Sequence, residues 1–295
     1  MIGAVQENGF YITHENNNIR SIYIESSRVE SCIEYAIDKG IQQVIISSFH
    51  KYEINNIDFI ENYTNFIDGI TIQGKFISLS PLRKLKKVKY LRINDSYGEE
   101  IDLSDFPNIN YLVIPWNKNI KNLSKCINLK SLFLWNYNPK SKNLEELNAL
   151  QALKEISIIK SNVNTLKGLE GLAKLQTVIL HYFPKLEFLD FLKPSMNNLT
   201  HLEFSNCKRL TNFNYVKDFK KIEVLKFMSC PDIPTIKFVK EMPQLKSFIF
   251  LDTNVNDGDM RPLLNLEYVG YTDKKNFNLK SWEVNNKIKE RNESK

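Results

Sequence analysis

LKEISIIKSNVNTLKGLEGLAKLQTVIL, residues Leu153–Leu180, holds one full period of this chain. It opens on the hexapeptide LKEISI, apolar-x-x-apolar-x-apolar, and closes on the next copy, LQTVIL from Leu175. Side chains alternate across a strand, so the fourth and sixth residues of each copy share one face and point inward. Between the copies, Val163, Leu166, Leu169 and Leu172 recur in steps of three. That spacing suits a short 3₁₀-like or single-turn return rather than a long helix.

Working outward, the same hexapeptide starts at Ile41, Ile67, Val88, Ile109, Leu129, Leu153, Leu175, Leu199, Ile222, Leu245 and Leu266. The intervals are 26, 21, 21, 20, 24, 22, 24, 23, 23 and 21 residues. A fixed period of this length is the mark of stacked repeats, each of which buries its apolar face only against its neighbours. The three-residue series returns as Ile120, Leu123 and Cys126, and as Leu210, Phe213, Val216 and Phe219.

From about residue 41 to 273 the chain resembles the leucine-rich repeat, in the short 20–24-residue form of bacterial and phosphatase-regulator proteins. The resemblance implies an α/β fold: a horseshoe-shaped solenoid with a parallel concave β-sheet and a convex side of 3₁₀ helices and turns. The ninth position of each repeat, usually Asn or Cys in the family, is here Ser96, Asn117, Tyr137, Ser161, Phe183, Cys207, Cys230 and Thr253. Cys207 and Cys230 fall on adjacent strands about 4.8 Å apart. A disulfide or half a metal site is conceivable there, and two buried small thiols are preferred.

Stacked repeats need capped ends. Residues 1–40 read as a small α/β cap. Phe10–Thr13 and Ile19–Ile24 flank the polar turn Glu15–Asn18 as a hairpin. Ser27 and Glu30 have capping-box spacing, Val29, Cys32, Ile33, Ala36 and Ile37 form one helical face, and Gly40 is a C-terminal stop. Residues 41–273 hold about eleven repeats, and 274–295 a closing cap and polar tail. Asp257–Asn278 resembles the closing segment of cytoplasmic bacterial leucine-rich-repeat proteins. The tail is expected to be helical in its first half and frayed beyond.

Composition sets the class. Of 295 residues, 42% are hydrophobic and 25% charged, an ordinary globular balance. No apolar run approaches membrane-spanning length. The start, MIGAVQENGF, lacks a basic n-region and does not read as a signal peptide. Four Cys do not make a disulfide scaffold, so a reducing cytoplasm is the expected compartment. Residues 1–66 carry 4 basic and 9 acidic side chains, leaving +11 on the remainder against +6 overall. A basic body could favour an acidic partner, or could simply be a solvated surface.

The third, fifth and seventh residues of each repeat point to the concave side. The third-position row includes Tyr90, Tyr111, Glu155 and His201. The fifth includes Arg92, Phe133, Ile179, Glu203 and Lys226. The seventh includes Asn94, Trp135, Ile159 and His181, and Trp116, Asn136, Tyr137 and Tyr182 lie just beyond it. Aromatic residues clustered over successive repeats fit the composition of an interface core. The competing reading is lateral stacking that steadies the sheet, and the binding role is preferred. Partner-binding candidates are therefore Tyr90, Arg92, Tyr111, Trp116, Phe133, Trp135, Asn136, Tyr137, Glu155, Ile159, Ile179, His181 and Tyr182.

Catalytic and metal patterns are missing: no H-E-x-x-H, C-x-x-C, G-x-S-x-G, P-loop or G-x-G-x-x-G occurs. Gly168 and Gly171 belong to a repeat turn. His181 and His201 are offset by four strand residues, about 13 Å, too far to share a metal. Glu203 and Lys226 pair as a surface bridge of little energy. The basic run Arg83, Lys84, Lys86, Lys87 and Lys89 precedes a strand, away from the aromatic centre, so nucleic acid is not expected. The expected function is non-catalytic protein binding by a monomeric cytoplasmic adaptor or regulator, without cofactor, metal or membrane. The alternatives are an immunity-type inhibitor of a bacterial toxin domain and a host-targeted effector. The fold analogy names no partner.

Overall fold

The computed structural model describes residues 4–15, 19–192 and 197–294. The chain divides into two compact units, Met1–Leu134 and Trp135–Lys295.

The first unit starts with three strands, β1 (Val5–Glu7), β2 (Phe10–Glu15) and β3 (Ile19–Tyr23), paired antiparallel in chain order. The turn residues 16–18 lie outside the described residues. Helix α1 (Val29–Asp38) follows and buries Cys32, Ile33 and Ala36. Ile37, expected on the same face, is 52% exposed. Position 37 lies about 100° beyond Ala36, on the rim of the stripe that Cys32, Ile33 and Ala36 define. The Ser27–Glu30 capping box does not form. Ser26–Arg28 is instead one turn of 3₁₀ helix, and the Arg28 cap makes no side-chain hydrogen bond. Gly40 does end the helix, at φ 64°, with Ile41 N donating to Ala36 O at 2.8 Å and Gly40 N to Ile37 O at 3.1 Å.

From β3 onward the pairing is parallel: β4 (Gln43–Ser47), β5 (Gly69–Gln73), β6 (Tyr90–Ile93), then β8 (Tyr111–Pro115). On the returning side, β7 (Ile101–Asp102) and β9 (Ile120–Lys121) form a two-residue ladder of their own. Strand β10 (Ser131–Tyr137) contains the boundary, with its first four residues in this unit. Inward positions Leu91, Ile93, Leu112, Ile114, Leu132 and Leu134 are buried. Each such side chain contributes about 1.5–3 kcal/mol by leaving water.

The second unit continues with β11 (Glu155–Ser161), β12 (Thr177–His181), β13 (His201–Ser205), β14 (Val224–Met228), β15 (Ser247–Phe250) and β16 (Tyr268–Tyr271), all parallel. Burial alternates residue by residue along β12 and β14, as the hexapeptide requires. Here the inward ladder is aromatic: the Phe204 and Phe227 rings stack at 5.7 Å and Phe250 and Tyr271 at 4.9 Å. The three-residue steps become short 3₁₀ helices at Glu145–Ala149, Phe213–Asp218, Lys237–Glu241 and Arg261–Asn265. Gly168 (φ 110°) has no substitute, because a Cβ there would meet Leu144 O at 2.2 Å.

In the second unit the ninth-position side chains of Ser161, Cys207, Cys230 and Thr253 reach backbone carbonyls. Thr253 Oγ1 donates to Phe227 O at 3.0 Å and accepts from Cys230 N at 3.1 Å. Cys230 Sγ sits 3.5 Å from Phe204 O, and Cys207 Sγ 3.6 Å from Leu180 O. All four cysteines are free and buried. The contact with Cys230, together with burial, pushes the Cys207 thiol far above its ordinary range.

The tail differs from expectation. Helix α2 (Ser281–Glu293) runs through nearly all of it, with Val284 and Ile288 buried. Asn285 accepts from Val269 N at 3.2 Å and donates to Val269 O at 2.9 Å, occupying the free edge of β16. Arg291 donates to Leu264 O and Leu266 O, both at 2.7 Å. The helix thus blunts an edge strand that would otherwise pair with another chain. No helix among the described residues is long and apolar enough to cross a membrane.

Candidate functional site

The strand register places the outward rows as the repeat dictates. In the first unit Tyr90 faces Tyr111 and Arg92 faces Val113 across β6 and β8. The Tyr90 and Tyr111 rings stack at 4.5 Å and 8°, and Phe133 leans on Tyr111 at 5.2 Å. Lateral stacking is therefore real, and it covers Tyr90, which is only 7% exposed. Tyr111, Phe133, Trp116 and Arg92 remain half-buried. Arg92 Nε donates to Asn94 Oδ1 at 3.0 Å.

In the second unit Glu155, Thr177, His201, Val224 and Ser247 form one row, and Ile159, His181, Ser205 and Met228 another. Trp135, Glu155, Ile159, Ile179 and His181 are half-buried, and Asn136 is exposed. Tyr137 departs from expectation: it is fully buried, with its hydroxyl donating to Glu146 Oε2 at 3.3 Å. It occupies the ninth position, whose side chain turns into the ladder of carbonyls, so it cannot be an exposed anchor. Tyr182 is 54% exposed.

One sequence expectation needs correction at the centre of this face. Glu203 is not part of an isolated surface bridge. Its Oε1 lies 2.8 Å from His181 Nε2, and its Oε2 lies 2.8 Å from Lys226 Nζ and 3.4 Å from His201 Nε2. The histidines, four strand residues apart, meet on one carboxylate because Glu203 stands between them, about 6.6 Å along the strand from each. The carboxyl is itself buried. Hydrogen bonds with His181 and His201, and then the Lys226 ammonium, hold it far below the usual carboxylate range. Among the described residues, no group of three His, Cys, Asp or Glu side chains could hold a metal ion.

The basic run lies on and after the 3₁₀ helix Ser80–Lys84. It is partly neutralised: Lys86 pairs with Asp105 at 2.7 Å and Lys89 with Asp68 at 3.2 Å.

One feature escapes the hexapeptide. The eighth residue is left-handed in six successive repeats, those starting at Leu129 to Leu245: Asn136, Lys160, Tyr182, Asn206, Ser229 and Asp252 all have φ between 51° and 66°. Around them in the second unit a groove of about 770 Å³ opens, lined by Ile159, Lys160, Tyr182 and Lys185 among others. Of these, only Ile159 and Tyr182 were legible as site candidates. Lys160 stands near the end of β11 and Lys185 in the turn after β12, and neither carries a periodic signal.

The sequence profile of the BspA type leucine rich repeat region matches in six copies, over residues 134–256 and 181–294. Among solved structures, the chain is similar to a TLR13–ssRNA13 complex (16% identity, 79% of this chain and 40% of that one, TM-score 0.57). It is also similar to a TDR receptor (13%, 82% and 44%, TM-score 0.53). An internalin, inlF, from Listeria monocytogenes aligns at 20% identity over 81% and 84%, with a TM-score of 0.40. At these identities the likeness concerns the fold alone. No curated protein matches in sequence. The repeat period, the parallel sheet with its 3₁₀ returns, and a profile match over more than half the chain make this protein a member of the BspA-type leucine-rich-repeat family.

Proposed function

We propose that this chain is a non-catalytic scaffold that recognises a protein partner through the outward face of its sheet. Leucine-rich repeats in general serve protein–protein interaction. Recognition through this face rests on one observation: Tyr111 and Phe133, tilted against each other, keep part of their surface open to solvent on a hydrogen-bonded sheet. Rings fixed in this way lose little freedom on binding, so their contact area converts to affinity efficiently. Trp116 and Arg92 flank them in the same unit, while Trp135, Glu155, Ile159 and Ile179 present the corresponding face of the second. A cytoplasmic adaptor or regulator is the setting we favour, supported by four cysteines that remain thiols.

The test is capture from a native lysate by the immobilised full chain, with bound proteins quantified by mass spectrometry. Phe133→Ser with Trp116→Ser should lose the specifically retained protein, while a convex-side control, Lys87→Gln, keeps it. Retention unchanged by the double substitution, in a variant whose circular dichroism matches the parent, would refute the assignment.

A further inference from the structure

The groove in the second unit sits at the C-terminal ends of β11–β13, with Ile159 of the outward face in its wall. Ile159, Tyr182 and Pro184 give it an apolar lining, Lys160, Lys185 and Lys208 give it three cations, and none of its lining residues is acidic. Lys160 and Lys185 are exposed, and Lys208 Nζ donates to Ser229 O at 2.6 Å, which holds that ammonium in place. Lys160 and Tyr182 hold φ of 66° and 57°, a conformation that lysine and tyrosine adopt at a cost. The same step in flanking repeats uses asparagine, Asn136 and Asn206, which tolerates it. The groove is thus fitted with an exposed ring and a cation where the backbone alone would favour a small amide. Asn162, also in the lining, has an Oδ1 with no hydrogen-bond partner among the described residues. Rotated outward, that amide can receive a backbone N–H.

We infer that this groove docks an acidic protein segment: an extended stretch whose aromatic or aliphatic side chain seats against Ile159, Tyr182 and Pro184, with flanking carboxylates on Lys160, Lys185 and Lys208. The inference rests on the protein-recognition reading and gives it a partner chemistry. Charge complementarity selects an acid-rich occupant. A single ring, Tyr182, does not make the run of stacking platforms that single-stranded nucleic acid uses.

The test pans a phage-displayed random 12-residue library on the full chain. The best clone is then measured as a fluorescein-labelled peptide by anisotropy. Enriched sequences should place Asp or Glu on both sides of an aromatic or aliphatic residue. Affinity should fall about tenfold or more in the K160Q/K185Q/K208Q variant, since three exposed pairs are lost at once. It should fall again in 0.5 M NaCl, as screening requires, and in Tyr182→Asn, which keeps the left-handed backbone and removes the ring. It should be unchanged in Phe133→Ser. The inference is overturned by no enriched clone, by enrichment without acidic bias, by affinity indifferent to the triple substitution, or by a 20-residue oligothymidylate binding more tightly than the peptide. A peptide lost in Phe133→Ser but kept in the triple variant would also overturn it, while leaving recognition by the sheet face standing.

Discussion

The outward face of the sheet is built in two ways. In the first unit the third- and fifth-position side chains are rings that cover one another, Tyr90 on Tyr111 and Tyr111 on Phe133. In the second unit equivalent positions carry His201, Glu203 and Lys226, with His181 reaching in from the seventh. Rings satisfy themselves by area and leave an apolar surface that gains by being covered further. A buried carboxylate cannot do this: it holds its charge only because three partners surround it. The ladder is therefore the part of the face that a partner can stabilise, and the Glu203 cluster is the part that stabilises itself.

The largest expected effect lies beneath the face. Phe227 is fully buried against Phe204 and Phe213. Phe227→Ala should cost about 3–5 kcal/mol in urea unfolding, the range for a deleted core ring. A loss below 1 kcal/mol would mean that the inward ladder does not carry the second unit. Next comes the carboxylate cluster. Removing a partner leaves a buried charge uncompensated, so Lys226→Met should cost about 1–3 kcal/mol at pH 7.

The pH dependence follows from the same group. Glu203 is depressed in the folded state relative to the unfolded chain. Its contribution is complete well above the ordinary glutamate range and is lost as pH falls through it toward the folded value. The stability gap between the parent and Glu203→Gln should therefore shrink steadily from pH 6 to pH 3. A constant gap would show that the cluster has no charge-dependent role. In the first unit, by contrast, Tyr111→Ala should cost about 1–3 kcal/mol with no pH dependence over that range, from lost stacking and lost area. The smallest effect is at the groove: Tyr182→Asn relieves a left-handed tyrosine and should stabilise by up to about 1 kcal/mol.

The inward positions were legible because burial repeats with strand and turn periods, so Ile41 through Leu266 could be assigned by counting. What counting misses is whatever depends on neighbours in the stack. Tyr137 looks like one more surface ring until its ninth-position geometry turns it inward. Glu203 stands two residues from His201 on β13, but His181 and Lys226 reach it only because parallel register sets β12 and β14 on either side. The sequence predicts a shorter α2 because its two buried residues, Val284 and Ile288, sit in a polar tail whose order comes from Asn285 holding β16 and Arg291 holding the carbonyls of Leu264 and Leu266 before it. Of the groove lysines, Lys185 and Lys208 lie in turns and Lys160 stands left-handed near the end of β11, where side chains follow backbone conformation rather than period.

Hydroxyl-radical footprinting of the chain with its captured partner addresses partner recognition most directly. Protection of Tyr111, Phe133 and Trp116 on complex formation, with the exposed rings Phe49 and Trp282 still reactive, is the expected result. Unchanged reactivity at those three rings, with protection confined to the Arg83–Lys89 segment or the outer 3₁₀ turns, would contradict recognition through the sheet face.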